Sequence, residues 1–339
     1  VRNSLQIFIV LPSCETFIIP VMVCVVMGKL GEILSGVPIP ICGLALGMAS
    51  LDRYLSQNYD DYVSIFAFLS AVLIILFSLR VITDVKGIRK DLGSPILFGV
   101  LPTYCMTVMI LSTYVNGYSE GAASFLWASA IVLCFVMMPF FIRKFMIGFD
   151  MKNVFPSWFV MFIGHVAGSI TSAAMGYTEI GKMLFWIGTI AYVILLPVIL
   201  YRVVKVKCIP EPAIPNLAIL AAPPNLLFVG YLTSYGTSAN DAVAGVLAIM
   251  GIMSYVAVLA YMPFMVKRKF YPSYAAFTFP LAISMVSISM IESFYGLQES
   301  VFHAFRMMSV VIAVVMVVYV LIRYVMFLSD SMRPKNAVQ

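Results

Sequence analysis

Five prolines, Pro38, Pro95, Pro156, Pro212 and Pro272, recur at steps of 57, 61, 56 and 60 residues. Each opens a long apolar stretch, and each of those stretches is followed by a second one without a leading proline. An internal period of this length marks a repeated supersecondary unit. Here the unit reads as a helical hairpin in five copies. The repeat also implies two kinds of helix, one lining something and one supporting it.

The stretches are too apolar for a water-soluble core. The chain is 62% hydrophobic and 11% charged, with a mean hydropathy of +1.03. Soluble domains are roughly 45–50% apolar and about 25% charged. About 20 apolar residues span the hydrocarbon of a bilayer. The expected fold is therefore an all-α integral membrane protein with ten transmembrane helices in five hairpins. Their expected ranges are 38–55, 61–83, 95–116, 121–143, 155–176, 179–203, 212–233, 241–265, 272–292 and 301–327. Long segments without alternating polarity argue against a β-barrel. Residues 30–328 form the transmembrane domain, 1–29 an N-terminal extension and 329–339 a cytoplasmic tail. Within the extension, the Ile7–Met27 stretch is interrupted by Pro12, Glu15 and Pro20. It fits neither a signal peptide nor the repeat. Met27, which opens MGKLGEILSG, is the expected initiator, the alternative being an extra interfacial or spanning helix.

Charge placement predicts an orientation. Basic residues follow the second helix of every hairpin, from Arg80, Lys86, Arg89 and Lys90 through Lys267, Arg268 and Lys269 to Arg323. With Arg2 and Lys29, 18 of the 21 basic residues fall on one face. The other face keeps Arg53, Lys182 and Arg306, and carries Asp52, Asp60, Asp61, Glu120, Glu179, Asp241, Glu292 and Glu299. The positive-inside rule then makes both termini cytoplasmic, in a multi-pass protein of the cell membrane. The net charge of +6 belongs to these loops and points away from nucleic-acid binding. The loops contact anionic lipid or form a basic vestibule that concentrates anions.

The chemistry of an enzyme is missing from the pattern. Cys14, Cys24, Cys42, Cys105, Cys134 and Cys208 stand singly, without metal-ligand spacing, and read as small packing residues. No metal site, cofactor or catalytic constellation is expected. No Lys, Arg, Asp or Glu lies deep in a first helix of a hairpin; Asp52 and Glu292 fall at outer ends. Intramembrane charges ordinarily mark ion or proton pathways. Their absence speaks against a carboxylate-driven cation pump and suits permeant anions.

The first helices carry further prolines inside the span, at Pro102, Pro223 with Pro224, and Pro280. Internal proline removes a backbone hydrogen bond and kinks a helix. In the second helices Pro139, Pro197 and Pro263 fall near one end. The expectation is five kinked inner helices enclosed by five straighter ones. Small and hydroxyl residues share faces of several inner helices. Gly43, Gly47 and Ser50 do so on the first, Thr103 and Thr107 on the third, and His165, Gly168, Ser169 and Ser172 on the fifth. Such stripes serve close helix packing or line a narrow pore. Trp158 and Trp186, near helix starts, read as interfacial anchors. His303, with Glu299 and Arg306, reads as a surface polar cluster.

The order VPIPICGLALG, GSP with a proline-bearing helix, FPSWF and AAFTFPLA resembles the tellurite-resistance/dicarboxylate transporter family over about residues 30–328. That family includes bacterial tellurite-resistance proteins, the fungal malate permease and plant slow-type anion channels. The resemblance implies ten helices whose odd members enclose a central pore, assembled as a homotrimer with one pore per subunit. It also implies a gate. In channel members a phenylalanine in an aromatic–Ser/Thr–Phe–Pro context closes the pore, and here Phe277-Thr278-Phe279-Pro280 makes Phe279 the candidate. Gly43 and Gly47 match the glycines that leave space beside it. The pore-lining candidates are Gly43, Gly47, Thr103, Thr107, His165, Ser169, Pro280, Ile283 and Val286. His165 departs from the family pattern, whose fifth helix is uncharged there. It is either a neutral partner between helices or a group that couples transport to protons.

The expected function is a permease or channel for small anions or C4-dicarboxylates such as malate, in contact with membrane lipid. A proton-coupled dicarboxylate carrier and a tellurite or drug exporter are the alternatives within transport. A two-halved drug/metabolite exporter would repeat at half the chain length, whereas the prolines repeat at every hairpin. A non-transporting scaffold would need a large loop or tail, which the chain lacks.

Overall fold

The computed structural model describes residues 34–207 and 209–332. The expected extension with Met27, and the last seven residues of the tail, lie outside the described residues. The described residues are helical, with no β-strand among them. We number the helices α1 (Ile41–Asn58), α2 (Ile65–Thr83), α3 (Pro95–Val115), α4 (Glu120–Phe145) and α5 (157–171). They continue as α6 (Thr178–Tyr201), α7 (211–235), α8 (Asp241–Val266), α9 (Pro272–Phe294) and α10 (Val301–Met332). A short helix, Val85–Asp91, follows α2 and was not foreseen.

Eight helices among the described residues are long and apolar enough to cross a membrane, and with that apolarity the chain is a membrane protein. The other two are α1, 18 residues long and carrying Asp52 and Arg53, and α5, which is broken. The eight divide sharply by burial. In α3, α7 and α9, 61%, 83% and 78% of the apolar window is buried, against 28–33% in α2, α4, α6, α8 and α10. Most of α1, up to its exposed last turn, and almost all of α5 are buried as well. The outer helices turn one apolar face outward, such as Phe125, Val132 and Phe140 on α4 or Val311, Val315 and Ile322 on α10. An exposed apolar face of this size is unfavourable in water and favourable against lipid tails.

The buried helices touch in sequence: α1 with α3, α3 with α5, α5 with α7, α7 with α9, and α9 again with α1. Each outer helix packs on the buried helix that precedes it in the chain. Lipid tails are as apolar as the side chains, so close packing and polar contacts hold these helices together. A Cβ on Gly47 would lie 2.4 Å from the Thr278 Cβ, so only glycine lets α1 and α9 approach this closely. Asn225 of α7 donates to the Gly251 carbonyl of α8 at 3.1 Å and to Ser284 of α9 at 3.0 Å.

The breaks follow the prolines with one exception. α3 breaks between Val100 and Thr103, around Pro102. α7 and α9 begin as 3-10 turns, Glu211–Ala221 and Pro272–Phe277, and become α-helical at Ala222 and Thr278. Pro223, Pro224 and Pro280 therefore stand in the first turn of an α-helical segment, where the missing N–H would have had no intrahelical partner. α5 breaks at Gly164–His165 without a proline. Pro139, Pro197 and Pro263 lie inside continuous outer helices, and α6 runs on into a π-helical turn, Arg202–Val206.

Two surface readings are corrected. Trp158 is buried, donates Nε1 to the Asn153 carbonyl at 3.0 Å and meets Phe141 edge-on, so it is a core residue. Trp186 is exposed and donates to the Tyr235 hydroxyl. His303 pairs with Glu292 and not Glu299, at 2.9 Å, and Arg306 meets the same buried carboxylate at 2.7 Å.

Candidate functional site

Three cavities lie along the contact line of the buried helices. The first, about 350 Å³, is bounded by the leading prolines Pro38, Pro212 and Pro272 together with Pro40, Ser94 and Asp91. Asp91 is held at 2.7 Å by Arg80, a buried arginine that also donates to the Val37 carbonyl. The second cavity, about 50 Å³, shares Pro40, Val100, Asn216 and Ser273 with the first. It touches all five buried helices through Gly43, Thr103, Phe159, Ile163, Leu226, Phe279 and Pro280, among others. The third, about 290 Å³, touches the same five helices further along, through Ser50, Arg53, Ile110, Ile170, Thr233, Ile283 and Val286.

The second and third cavities are separated by a thin layer. On α7 the lining passes from Leu226 to Val229, on α3 from Met106 to Ile110, and on α9 from Pro280 to Ile283. At about 1.5 Å per residue this is roughly one helical turn, and nearer two turns on α1, from Gly43 to Ser50, and on α5, from Gly164 to Ile170. Phe279, 6% exposed, borders the second cavity at the edge of that layer. Its placement follows from the junction in α9. The Thr278 hydroxyl shares its proton between the Ala275 carbonyl at 2.8 Å and the Gly43 carbonyl of α1 at 2.9 Å. That bond fixes the start of the α-helical segment against α1, and the next side chain, Phe279, faces the cavity.

The structure divides the pore-lining candidates. Gly43, Thr103, Phe279 and Pro280 meet at the second cavity, and Ile283 and Val286 at the third. The remaining four lie in helix contacts. Gly47 faces Thr278. Thr107 donates to the Thr103 carbonyl and reaches the Cys42 carbonyl of α1 at 3.3 Å. Ser169 bonds the Gly230 carbonyl and the Ser234 hydroxyl of α7, at 3.0 and 2.7 Å. His165 is turned outward between α4 and α6, its ring 4.9 Å from that of Phe135 and its Nε2 facing Gly188. Its ring nitrogens lack regular hydrogen bonds and have only a weak contact with the Leu184 backbone.

Residues 41–325 match the family described as SLAC1, voltage-dependent anion channel. The chain belongs to the voltage-dependent anion channel family. It is 24% identical over 258 residues to the tellurite resistance protein TehA homolog of Haemophilus influenzae, covering 73% of this chain and 76% of that protein. It is 22% identical over 132 residues to the guard cell S-type anion channel SLAC1 of Arabidopsis thaliana, covering 39% of this chain and 23% of that protein. The resemblance drawn from the proline-bearing motifs is thereby established, and the family is one of anion channels and transporters, not enzymes.

In this anion channel family member, the polar residues on the cavities that were not among the candidates include Asn216, Ser50 and Arg53. Asn216, 2% exposed, borders the first two cavities with its Nδ2 unpartnered. Ser50 and Arg53 border the third. Ser50 belonged to the small-residue stripe of α1, and continuing that stripe by three and seven residues reaches Arg53 and Gln57. Counting Arg53 with the loop charges hid it. Its neighbour Asp52 faces away from the cavity. It is fully buried and accepts from the Tyr62 hydroxyl, the Tyr114 hydroxyl and the Ala67 amide at 2.7, 2.7 and 2.9 Å. Burial and then the bond to Asp52 raise the Tyr62 phenol above its ordinary range.

Proposed function

We propose that the chain is a permease for small anions or C4-dicarboxylates such as malate, conducting along the axis enclosed by α1, α3, α5, α7 and α9. In this reading α1 and α5 complete ten transmembrane helices in five hairpins, the odd ones inside. Phe279 is the gate, and Gly43 leaves room beside it. The basic loops face the cytoplasm with both termini, the protein resides in the cell membrane, and it assembles as a homotrimer with one pore per subunit.

The observation that carries this reading is the pair of cavities, each touched by all five buried helices and separated by about one to two turns at Phe279. Two aligned cavities interrupted by an apolar layer are what a closed pore looks like. An aromatic ring at such a layer blocks ions sterically and by excluding water. The polar groups that meet this pair of cavities are hydroxyls, two amides and one guanidinium, which suit an anion that must bind weakly and leave. The family supports anions as a class.

Reversal potentials in chloride and malate gradients, with and without a pH gradient, test the proposal. A passive pore gives a reversal potential that follows the anion gradient and ignores pH. A potential that follows the proton gradient replaces it with a coupled carrier. No anion flux from well-folded protein defeats both.

A further inference from the structure

The third cavity holds a group that the gate does not need. Ser50 and Arg53 of α1 border it on one side, Thr233 of α7 on another. Arg53 Nη1 and Ser50 Oγ are both buried, and neither has a hydrogen-bond partner. No carboxylate among the described residues forms an ion pair with Arg53. Asp52 is committed to Tyr62, Tyr114 and the Ala67 amide. The other guanidinium at this end, Arg306, is neutralised by Glu292 at 2.7 Å and donates Nη1 to Tyr54 at 2.8 Å. Tyr54, also on the cavity, accepts from Arg306 and from Ser289, which leaves its own proton to donate.

Three donors without an acceptor therefore border one enclosure, and one of them is charged. Arg53 as a whole is half-buried, but a cationic nitrogen buried without a partner is unfavourable until a counter-charge arrives. We propose that this cavity is an anion-binding site at the mouth opposite the leading prolines, holding a small planar oxyanion, a carboxylate or nitrate, on Arg53 and Ser50. The proposal rests on the anion-permease reading and adds to it a selectivity-determining residue. A guanidinium matches a planar oxyanion through two parallel N–H donors. The rim at this end carries Asp60, Asp61, Asp241 and Glu299, which repel anions. Arg53 would offset that repulsion in the cavity just outside the Phe279 layer, where it could act on every ion that takes this path.

Bromide is the first probe, because anomalous scattering locates it in crystals of the full chain. In the wild type a bromide peak is expected within hydrogen-bond distance of Arg53 Nη1 and Ser50 Oγ, displaced by nitrate and by malate. R53Q should lose the peak, R53K should keep it, and S50A should raise the nitrate concentration needed for displacement. In planar bilayers R53Q should lower anion current entering from this side by roughly tenfold and weaken the rejection of cations. Bromide bound equally in R53Q, or nitrate current unchanged in it, overturns the proposal. Should R53Q fail to fold, S50A carries the test, and displacement at the wild-type concentration overturns the site. Bromide at Arg53 in a protein that passes no anion would defeat the permease reading and leave the site standing.

Discussion

At the proline end of the axis, the two cavities below Phe279 present mostly apolar side chains, with the amide of Asn216 and the hydroxyl of Thr103 among them. Their one carboxylate, Asp91, is held by Arg80. At the opposite end, the cavity beyond Phe279 presents an unpaired guanidinium, a free hydroxyl, a tyrosine and Gln57. The same five helices build both ends, so the difference is one of register along each helix. On the proposed path an ion would meet a weakly polar cavity on one side of Phe279 and a charged one on the other. In the proposed permease the asymmetry would separate two tasks, closure at an apolar layer and recruitment of the ion in a polar cavity next to it.

Removing the layer should erase the contrast and produce the largest effect. Phe279→Ala joins the two cavities, and conductance in bilayer or oocyte recordings should rise by about tenfold or more, equivalent to lowering a barrier by ~1.4 kcal/mol. Unchanged current from folded, surface-expressed protein would falsify the gate.

The next effect concerns the contact that sets the layer's position. Gly47→Val forces a side chain into Thr278, where even a Cβ would come within 2.4 Å. Overpacking of this kind costs about 1–3 kcal/mol. The melting temperature in detergent should fall, with current falling alongside as Phe279 shifts. A variant as stable as the parent would show that α1 and α9 have slack.

Asp52→Asn asks whether the carboxylate at the polar end is a brace or a pore charge. An amide can satisfy fewer of its three donors, so a loss of about 1–3 kcal/mol in stability is expected. Anion-to-cation selectivity should not move, because Asp52 faces away from the cavity. A change in selectivity without loss of stability would place Asp52 on the ion path.

The smallest effect is expected at His165. Its ring lies between α4 and α6, away from both central cavities. His165→Asn should leave the pH profile of anion flux as it was. A flattened profile would tie the outer helices to conduction and break the view that only the axis matters.

Much of this architecture was legible because prolines and charges report on backbone position. The ranges expected for α3, α4, α6, α8 and α9 agree with the structure to within about two residues at either end. Proline within the span marked the inner helices correctly at α3, α7 and α9. Five kinked inner helices were expected, yet α1 is continuous over Ile41–Asn58, and the position of the α5 break escaped because Gly164 and His165 carry no comparable signal; there a Cβ on Gly164 would meet the Val160 carbonyl at 2.5 Å. The site was legible only in part. Phe279, Pro280, Gly43 and Thr103 reached the cavity, while Thr107 and Ser169, of the same chemical kind, were spent on neighbouring helices. Arg53 was missed because a charge near a helix end was counted as a loop charge.

The sequence by itself determined that this chain is helical and membrane-embedded, where its helices begin, and which of them are interrupted. Those properties depend on local composition, on proline's missing N–H and on the cost of burying charge in lipid. Only the tertiary structure decided which face of each inner helix looks along the axis. A helix buried on all sides has no polar stripe to report its rotation, so α7 and α9 are oriented by the helices they touch. That rotation puts Arg53 beside the third cavity, turns Asp52 and His165 away from the cavities, and leaves Phe279 on the second, at the layer that divides it from the third.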